Sequence, residues 1–103
     1  MKKEEYDRLF NEIIIPNIVE TRDEGQKEYA HDASNVFANF ERTGESVGIT
    51  AEQSLLNHLL KHIDGICSYV KGHKSQREPI RGRIKDAIVY LSLLWAMVDN
   101  KER

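Results

Sequence analysis

The sequence predicts an all-α protein, a compact bundle of about four helices that forms a single domain over residues 1–103. Apolar residues recur at intervals of three and four along most of the chain, which is the period of an amphipathic helix. Glycine, proline and small polar residues gather in a few short stretches, where turns would separate the helices. A chain of 103 residues can bury a modest core. Small helical domains often extend such a core by dimerising, so a homodimer is expected.

The N-terminal region predicts an amphipathic helix over residues 3–15. Its apolar positions follow helical spacing: Tyr6, Leu9, Phe10, Ile13 and Ile14. Pro16 is expected to break or kink this helix, because it lacks an N–H and disfavours helical geometry at Ile15. A second helix would then begin at Pro16.

Residues 28–40, taken as a helix, place a polar wedge beside an apolar stripe. The wedge contains Glu28, Asp32, Asn35 and Asn39, and the stripe contains Tyr29, Ala33, Val36, Phe37 and Phe40. Carboxylates and carboxamides at the rim of a core are suited to a metal or ligand site. Glu20 and Glu24 precede Glu28 at steps of four, and like charges at this spacing repel. A cation or a basic partner would relieve the repulsion, and solvation of an ordinary helix face is the alternative.

The second half of the chain predicts a loop and two helices. Residues 42–49 form the predicted loop, since they contain two glycines among small polar residues. Thr50 and Gln53 form a capping box that opens a helix to about Val70. Cys67 lies on the apolar stripe of that helix, which also holds Leu55, Leu56, Leu59, Leu60, Ile63, Ile66 and Val70, and is expected to be a buried thiol. The last helix runs from Ile80 to about Asp99.

Polar residues border or interrupt the apolar faces of these two helices. They are His58, Lys61, His62 and Tyr69 on the first, and Asp86 and Tyr90 on the second. His58 and His62 have a spacing that can chelate zinc, but no third ligand is identifiable from the sequence. Hydrogen bonds to a neighbouring acid or to a ligand are the alternative. Asp86 would pair with Arg83 on its own helix or face the acids around Glu28.

Charge is divided unevenly along the chain. Residues 1–52 have a net charge of −6 and residues 53–103 a net charge of +4. The basic loop 71–79, with Arg81 and Arg83 after it, could bind phosphates by charge and by arginine forks. It lacks interleaved aromatics and overall basicity, which argues against direct nucleic-acid binding.

The amino-acid composition predicts the cellular location of the protein. The chain is 40% apolar and 31% charged, with apolar runs too short for a membrane span, so no membrane partner is expected. The single cysteine excludes an internal disulfide. A reducing, cytoplasmic location is the expectation.

Three blocks of the sequence together carry a family resemblance. They are Glu28-Tyr29-Ala30 with Asp32, Asn35, Phe37, Asn39 and Phe40; Lys61-His62-Ile63-Asp64 with Ile66; and Glu78-Pro79-Ile80 with Arg83-Ile84, Asp86 and Tyr90-Leu91. The set is similar to small helical proteins of phages and prophages in the neighbourhood of the nucleotide-modification-associated domain. This resemblance implies a protein of the bacterial host cytoplasm that acts on a nucleotide.

More distantly, the arrangement resembles the all-α nucleotide pyrophosphatases of the MazG and dUTPase-like type. In those helical oligomers, acids from two helices bind magnesium and water attacks a nucleoside triphosphate. Glu28, Asp32 and Asp86 would match the magnesium-binding acids. Their pattern has Glu-x-x-Asp before an apolar helix, whereas Arg83 stands here three residues before Asp86. That departure puts a full two-metal hydrolase in doubt.

The resemblance also implies roles for the remaining polar residues. His62 and Lys61 would be catalytic, positioning water and neutralising phosphate charge. The ligand-binding set would be Tyr29, Asn35, Asn39, His58, Tyr69, Arg81, Arg83 and Tyr90, which offer hydrogen bonds, cationic groups and stacking surfaces.

Three functions follow as alternatives. The chain acts on a nucleotide as a Mg²⁺-dependent (deoxy)nucleoside triphosphate pyrophosphohydrolase, or sequesters one. As a non-catalytic phage anti-defence protein, it would bind a nucleotide signal or inhibit a host protein. A structural or regulatory helical dimer is the third, and it follows from the apolar last helix alone.

Overall fold

The computed structural model describes residues 1–30, 34–74 and 77–102, with the side chains of residues 29 and 30 excepted. Within these residues the chain forms four helices and no strand. They are α1 over residues 3–30, α2 over Ala38–Val47, α3 over Ala51–Val70 and α4 over Ile80–Glu102. The all-α bundle predicted from the sequence is therefore confirmed.

Helix α1 is uninterrupted at Pro16, but its geometry changes there. A π-helical turn over Phe10–Ile14 is followed by a regular α-helical segment, Ile15–Gly25, with the proline in its first turn, where the sequence predicts the start of a second helix. The N–H of Ile15 donates to the carbonyl of Phe10, five residues earlier. Asn17 Nδ2 then donates to the carbonyl oxygen of Ile13 at 2.7 Å. The π-helical turn covers the residues whose carbonyls the ring of Pro16 and its missing N–H would otherwise disturb.

The predicted continuous helix over residues 28–40 is wrong. Its first part belongs to α1, its last part to α2, and residues 34–37 form a turn between them. Asn35 Oδ1 accepts a hydrogen bond from the Phe37 N–H at 3.0 Å, and Asn35 Nδ2 donates to Glu41 Oε2 at 2.9 Å. An asparagine that bonds to the backbone two residues on competes with the helical pattern. Asp32 lies outside the described residues.

Residues 42–47, predicted as part of a loop, belong to α2. The hydroxyls of Thr43 and Ser46 donate to carbonyl oxygens four residues earlier, each at 2.9 Å, so both side chains are satisfied within the helix. Gly44 is buried, and a Cβ there would lie 2.8 Å from the backbone oxygen of Ile49. Gly48 ends the helix with φ of 75°, a left-handed conformation that favours glycine. The two glycines thus permit close packing and a helix stop, and the predicted loop shrinks to residues 48–50.

Gly44→Ala is expected to lower the free energy of unfolding by about 1–3 kcal/mol, because backbone atoms cannot yield to the added methyl group as a flexible side chain would. Gly82→Ala is the matched control, since nothing lies within 4 Å of a Cβ at that position in α4. It should raise stability by about 0.5–1 kcal/mol through helix propensity. Urea unfolding of both variants measures the difference. Equal effects at the two sites would contradict the packing described for Gly44.

The predicted capping box at the start of α3 is confirmed. Thr50 Oγ1 accepts from the Gln53 N–H at 3.1 Å, and Gln53 Oε1 accepts from the Thr50 N–H at 2.9 Å. Helix α3 packs most extensively on α4. The two run antiparallel, since Glu52 at the start of α3 lies 3.6 Å from Lys101 at the end of α4.

The core lies where α2, α3 and α4 meet. Phe40, Leu55 and Met97 are buried there, with Leu55 completely inaccessible. Ser54 is also buried and its hydroxyl lies 2.7 Å from that of Thr43. Because the Thr43 hydroxyl already donates to Asn39, Ser54 is the donor in this α2–α3 hydrogen bond.

The predicted apolar stripe of α3 divides between core and surface. Leu55 and Leu59 are buried, whereas Leu56, Leu60 and Val70 are exposed. Cys67 is exposed as well, so the prediction of a buried thiol is wrong: this part of the stripe faces away from the other helices of the chain.

The N-terminal part of α1 projects from the bundle. Residues 3–14 pack against no other helix in the described chain, and the structure measures 45 × 29 × 26 Å. Its Cα radius of gyration is 15.4 Å, against about 13 Å for a compact domain of this length. None of the described helices has the length and apolarity that crossing a membrane would require.

Candidate functional site

A cleft with a volume of about 570 Å³ lies on the side of the α3–α4 hairpin that α1 and α2 cover. Six residues singled out from the sequence line it: Glu28, Asn39, His58, His62, Asp86 and Tyr90. They come from all four helices, and helical periodicity alone could not show that they meet. The volume falls in the range of about 300–1,000 Å³ that is usual for small-molecule sites.

At one end of the cleft, His62, Glu78 and Asp86 bring their side chains together. One ligand atom from each lies within 4.8 Å of the other two. His62 Nδ1 is 3.9 Å from Glu78 Oε2, and His62 Nε2 is 3.7 Å from Asp86 Oδ2. These separations are too long for hydrogen bonds, and His62 Nδ1 is a buried atom with no hydrogen-bond partner among the described residues. Two carboxylates and one imidazole around a shared space form a donor set that fits a divalent metal ion.

The electrostatics of this cluster make Asp86 costly to ionise. Partial burial raises the pKa of Asp86 above its ordinary value of 3.8, and the negative charge of Glu78 adds to the rise. His62 and Lys85 act in the opposite direction without cancelling it. A cation between the carboxylates would favour the ionised form. The side chains around Asp86 therefore supply less positive charge than its carboxylate needs, and a bound cation would supply the rest.

Aromatic rings form the adjoining wall of the cleft. The ring of Tyr90 lies 5.9 Å from that of Phe40, 6.1 Å from that of His58 and 5.6 Å from that of His62, measured between centroids. Phe40 and His58 are in edge-to-face contact at 5.9 Å. Such contacts hold the rings in defined orientations. The result is a preformed aromatic surface next to the carboxylate and imidazole cluster.

His58 has a fixed tautomer when its ring is neutral. Its Nδ1 lies 2.8 Å from the carbonyl oxygen of Ser54, and because a carbonyl only accepts, Nδ1 carries the hydrogen. Nε2 is then the acceptor. His58 therefore contributes an oriented ring to the cleft, and the donor cluster contains His62 without it. The chelation of one ion by His58 and His62 is not the arrangement seen in the described residues.

Five predicted site residues do not line the cleft. Lys61, Tyr69 and Arg81 are exposed elsewhere, and Asn35 is engaged in the turn before α2. Arg83 lies across Gly65, where a Cβ would come within 2.6 Å of the Arg83 Cδ. The missing side chain of Gly65 thus leaves room for the Arg83 side chain of α4 against α3. Arg83 does not pair with Asp86 in the described ion pairs.

Two further predicted residues cannot be placed. Asp32 and the side chain of Tyr29 lie outside the described residues. Glu78, by contrast, belongs to the cluster but was not among the predicted ligands. It precedes Pro79 and α4 in an irregular segment, where no periodicity indicates the direction of a side chain. The signal available was its position directly before the helix that carries Asp86.

Comparisons of the chain with protein-family models, with curated proteins and with solved structures found no match. The interpretation of the cleft therefore rests on its own geometry and chemistry.

Proposed function

We propose that the cleft binds a nucleotide together with a divalent metal ion. The observation that carries this proposal is the combination, in one cavity, of a three-ligand cluster and an aromatic wall. His62, Glu78 and Asp86 supply the ligands, and the half-buried ring of Tyr90, backed by the buried ring of Phe40, supplies the wall. A nucleotide has the two matching parts, since its phosphates bind metal ions and its base stacks on aromatic rings.

The charge of the cleft requires the cation. Its lining holds four carboxylates, those of Glu24, Glu28, Glu78 and Asp86, against the guanidinium of Arg22. Arg22 is itself 3.1 Å from Asp23. Phosphate groups alone would be repelled by such a surface, whereas a metal–phosphate complex presents positive charge to the acids. We infer that nucleotide and metal bind as a unit.

The aromatic wall would receive the base. Stacking on an aromatic side chain contributes about 1–3 kcal/mol per base and tolerates any base. Asn39 lines the same cleft and offers both donors and acceptors to a base or sugar edge. Its Oδ1 accepts from Arg42 at 3.3 Å, which orients the carboxamide and directs its Nδ2 group.

The ligand atoms in the cluster determine which metal ion the cleft would bind. Mg²⁺ prefers oxygen ligands only, and the cluster supplies two carboxylates, those of Glu78 and Asp86. Participation of the His62 imidazole favours Mn²⁺ or Zn²⁺, which accept mixed nitrogen and oxygen ligands. In either case the ion would supply charge neutralisation on the phosphates.

Hydrolysis is the chemistry that would turn this binding site into an active site. If the carboxylates of Glu78 and Asp86 hold the ion, an uncoordinated ring nitrogen of His62, which lies next to Asp86, can accept a proton from a water molecule as that water attacks phosphorus. The bond to the departing phosphate breaks in the same reaction. Neither Lys61, Arg81 nor Arg83 lines the described cleft to stabilise the departing charge. Because these three basic residues do not line the described cleft, the alternative function is sequestration of a nucleotide without turnover.

Thermal shift and turnover, measured together, test the proposal. The purified protein is incubated with a nucleotide panel, each member alone and with Mg²⁺, Mn²⁺ or Zn²⁺. A nucleotide with metal should raise the melting temperature more than the two raise it separately, because ligands that bind the native state stabilise it. Turnover that Asp86→Asn abolishes would support the hydrolase, and a shift without turnover would support sequestration. No shift with any combination would contradict nucleotide binding.

We also propose that the protein is a homodimer, as the apolar last helix predicts. Its exposed apolar residues support this proposal independently of any ligand.

A further inference from the structure

The outer surface of the α3–α4 hairpin carries two exposed apolar stripes. The stripe on α3 consists of Leu56, Leu60, Ile63, Cys67 and Val70. The stripe on α4 consists of Ile84, Ile88, Leu91, Trp95 and Val98. In both helices the residues follow one another at steps of four, three, four and three, the spacing of a coiled-coil seam. No charged residue interrupts either stripe. Together they are called the outer face below.

Helical geometry places both stripes on the same side of the hairpin. At about 100° per residue, three sides of α3 follow one another around the helix axis, each roughly a quarter turn from the last. They are the side that meets α2, the side that meets α4 and the exposed stripe. Around the axis of α4 the order and the direction are the same: first the side that meets α1, then the side that meets α3, then the exposed stripe. Because the two helices are antiparallel, the same rotation about each helix axis brings both exposed stripes to the side of the hairpin that faces away from α1 and α2. The outer face is thus opposite the cleft.

We propose that a second copy of this chain covers the outer face, and that the two hairpins form a four-helix bundle across a two-fold axis. A two-fold interface brings the same surface of both copies together. Stripes with coiled-coil spacing on antiparallel helices are suited to packing against their own copies. Each stripe extends over 15 residues, a rise of about 21 Å along the helix axis. This interface leaves both clefts open; it rests on the homodimer proposed above and does not depend on what the cleft binds.

The exposed area matches what such a dimer needs. The chain exposes 7928 Å², whereas a compact monomer of its mass exposes about 6,000 Å². The projecting part of α1 accounts for some of the excess, and the outer face holds most of the large apolar side chains exposed on α3 and α4. A stable interface takes about 800 Å² or more from each partner. The excess is large enough to supply that area.

The rims of the outer face carry charges of both signs. Asp64 and Lys71 flank the α3 stripe on its outer edge, and Lys85 and Asp99 flank the α4 stripe. A surface with one sign of charge would repel its own copy, whereas a mixed rim can pair with it. The charge pattern therefore favours a second copy over a strongly acidic or basic partner.

Sedimentation equilibrium and thiol labelling test the interface in the full chain. Cys67 is the single cysteine, so an aromatic disulfide reagent reports on the outer face alone. The wild-type protein should have twice the chain mass of 11.9 kDa. Dilution to the monomer should speed the reaction of Cys67 at least about tenfold, since reaction requires an accessible thiolate.

Leu60→Glu and Leu91→Glu should each raise the dimer dissociation constant on the order of 100-fold or more, because a buried, unpaired carboxylate would lie in the interface. Both leucines are 51% exposed in the single chain, so circular dichroism should show folded, monomeric variants with fast Cys67 labelling. Val47→Glu is the control, since Val47 is 70% exposed but lies on α2. It should remain dimeric. A wild-type monomer, or a dimer that neither leucine variant weakens, would overturn the proposal.

Discussion

Asp86→Asn should remove metal binding at the cleft while leaving the metal-free protein at least as stable as the wild type at neutral pH. Loss of a group that merely supports a metal ligand costs about 10–100-fold in affinity. Loss of a ligand itself should cost at least about 100-fold. Asp64→Asn is the matched control, because Asp64 is exposed on α3 and lies outside the cluster. Titration calorimetry with Mn²⁺ on the three proteins measures the effect.

The stability part of this prediction follows from the raised pKa of Asp86. The folded protein holds the proton of Asp86 more tightly than the unfolded chain, whose value is near 3.8. Stability therefore falls as pH rises from that value through the raised pKa, and the loss is complete above it. Asp86→Asn lacks this titration. Its stability relative to the metal-free wild type should rise over the same pH range.

Urea unfolding at a series of pH values, with a chelator present, measures this trend. A relative stability of Asp86→Asn that falls with rising pH would mean that ionised Asp86 stabilises the fold, contrary to the burial described for it. Unchanged Mn²⁺ affinity in the variant would remove Asp86 from the metal site.

Leu55→Ala should destabilise the protein by about 2–5 kcal/mol, the usual cost of emptying a buried leucine site. Leu55 is fully inaccessible and packs with Phe40 and Met97 where three helices meet. A domain of this size is stable by only about 5–15 kcal/mol, so this single change should remove a large fraction of the total. Its effect should extend to the cleft, since Phe40 belongs to both the core and the aromatic wall.

Leu9→Ala is the control for Leu55→Ala. Leu9 is 37% exposed in the projecting part of α1, and its truncation should change stability by less than about 0.5 kcal/mol. Thermal and urea unfolding of both variants, at equal protein concentration, give the comparison. A small effect of Leu55→Ala would contradict the position of the core between α2, α3 and α4.

Sequence periodicity predicted the helices well because their apolar faces repeat over many residues. The capping box at Thr50 and Gln53 was also predictable, since it needs only local contacts. Two errors arose where a local hydrogen bond decides the backbone. Asn35 bonds to the Phe37 N–H and stops a helix that the pattern would continue. Thr43 bonds to the Asn39 carbonyl within a helix that the pattern reads as a loop.

The division between core and surface was harder to predict. Helices α3 and α4 each have an apolar stripe facing their own chain and another facing outward. Hydrophobicity alone does not distinguish a stripe that packs within the chain from one exposed on it. Cys67 was for this reason expected in the core. The cleft itself was predictable in part, since polar residues beside apolar faces marked Glu28, His62 and Asp86, whereas Glu78 lies where no repeat applies.

The central claim is that His62, Glu78 and Asp86 hold a divalent metal ion in the cleft. Anomalous diffraction from crystals soaked in Mn²⁺ tests it most directly. The predicted result is an anomalous peak among the three side chains, within coordination distance of a carboxylate oxygen of Asp86 and of a ring nitrogen of His62. Saturating Mn²⁺ with no peak in the cleft, or with a peak at a site that excludes both residues, would contradict the claim.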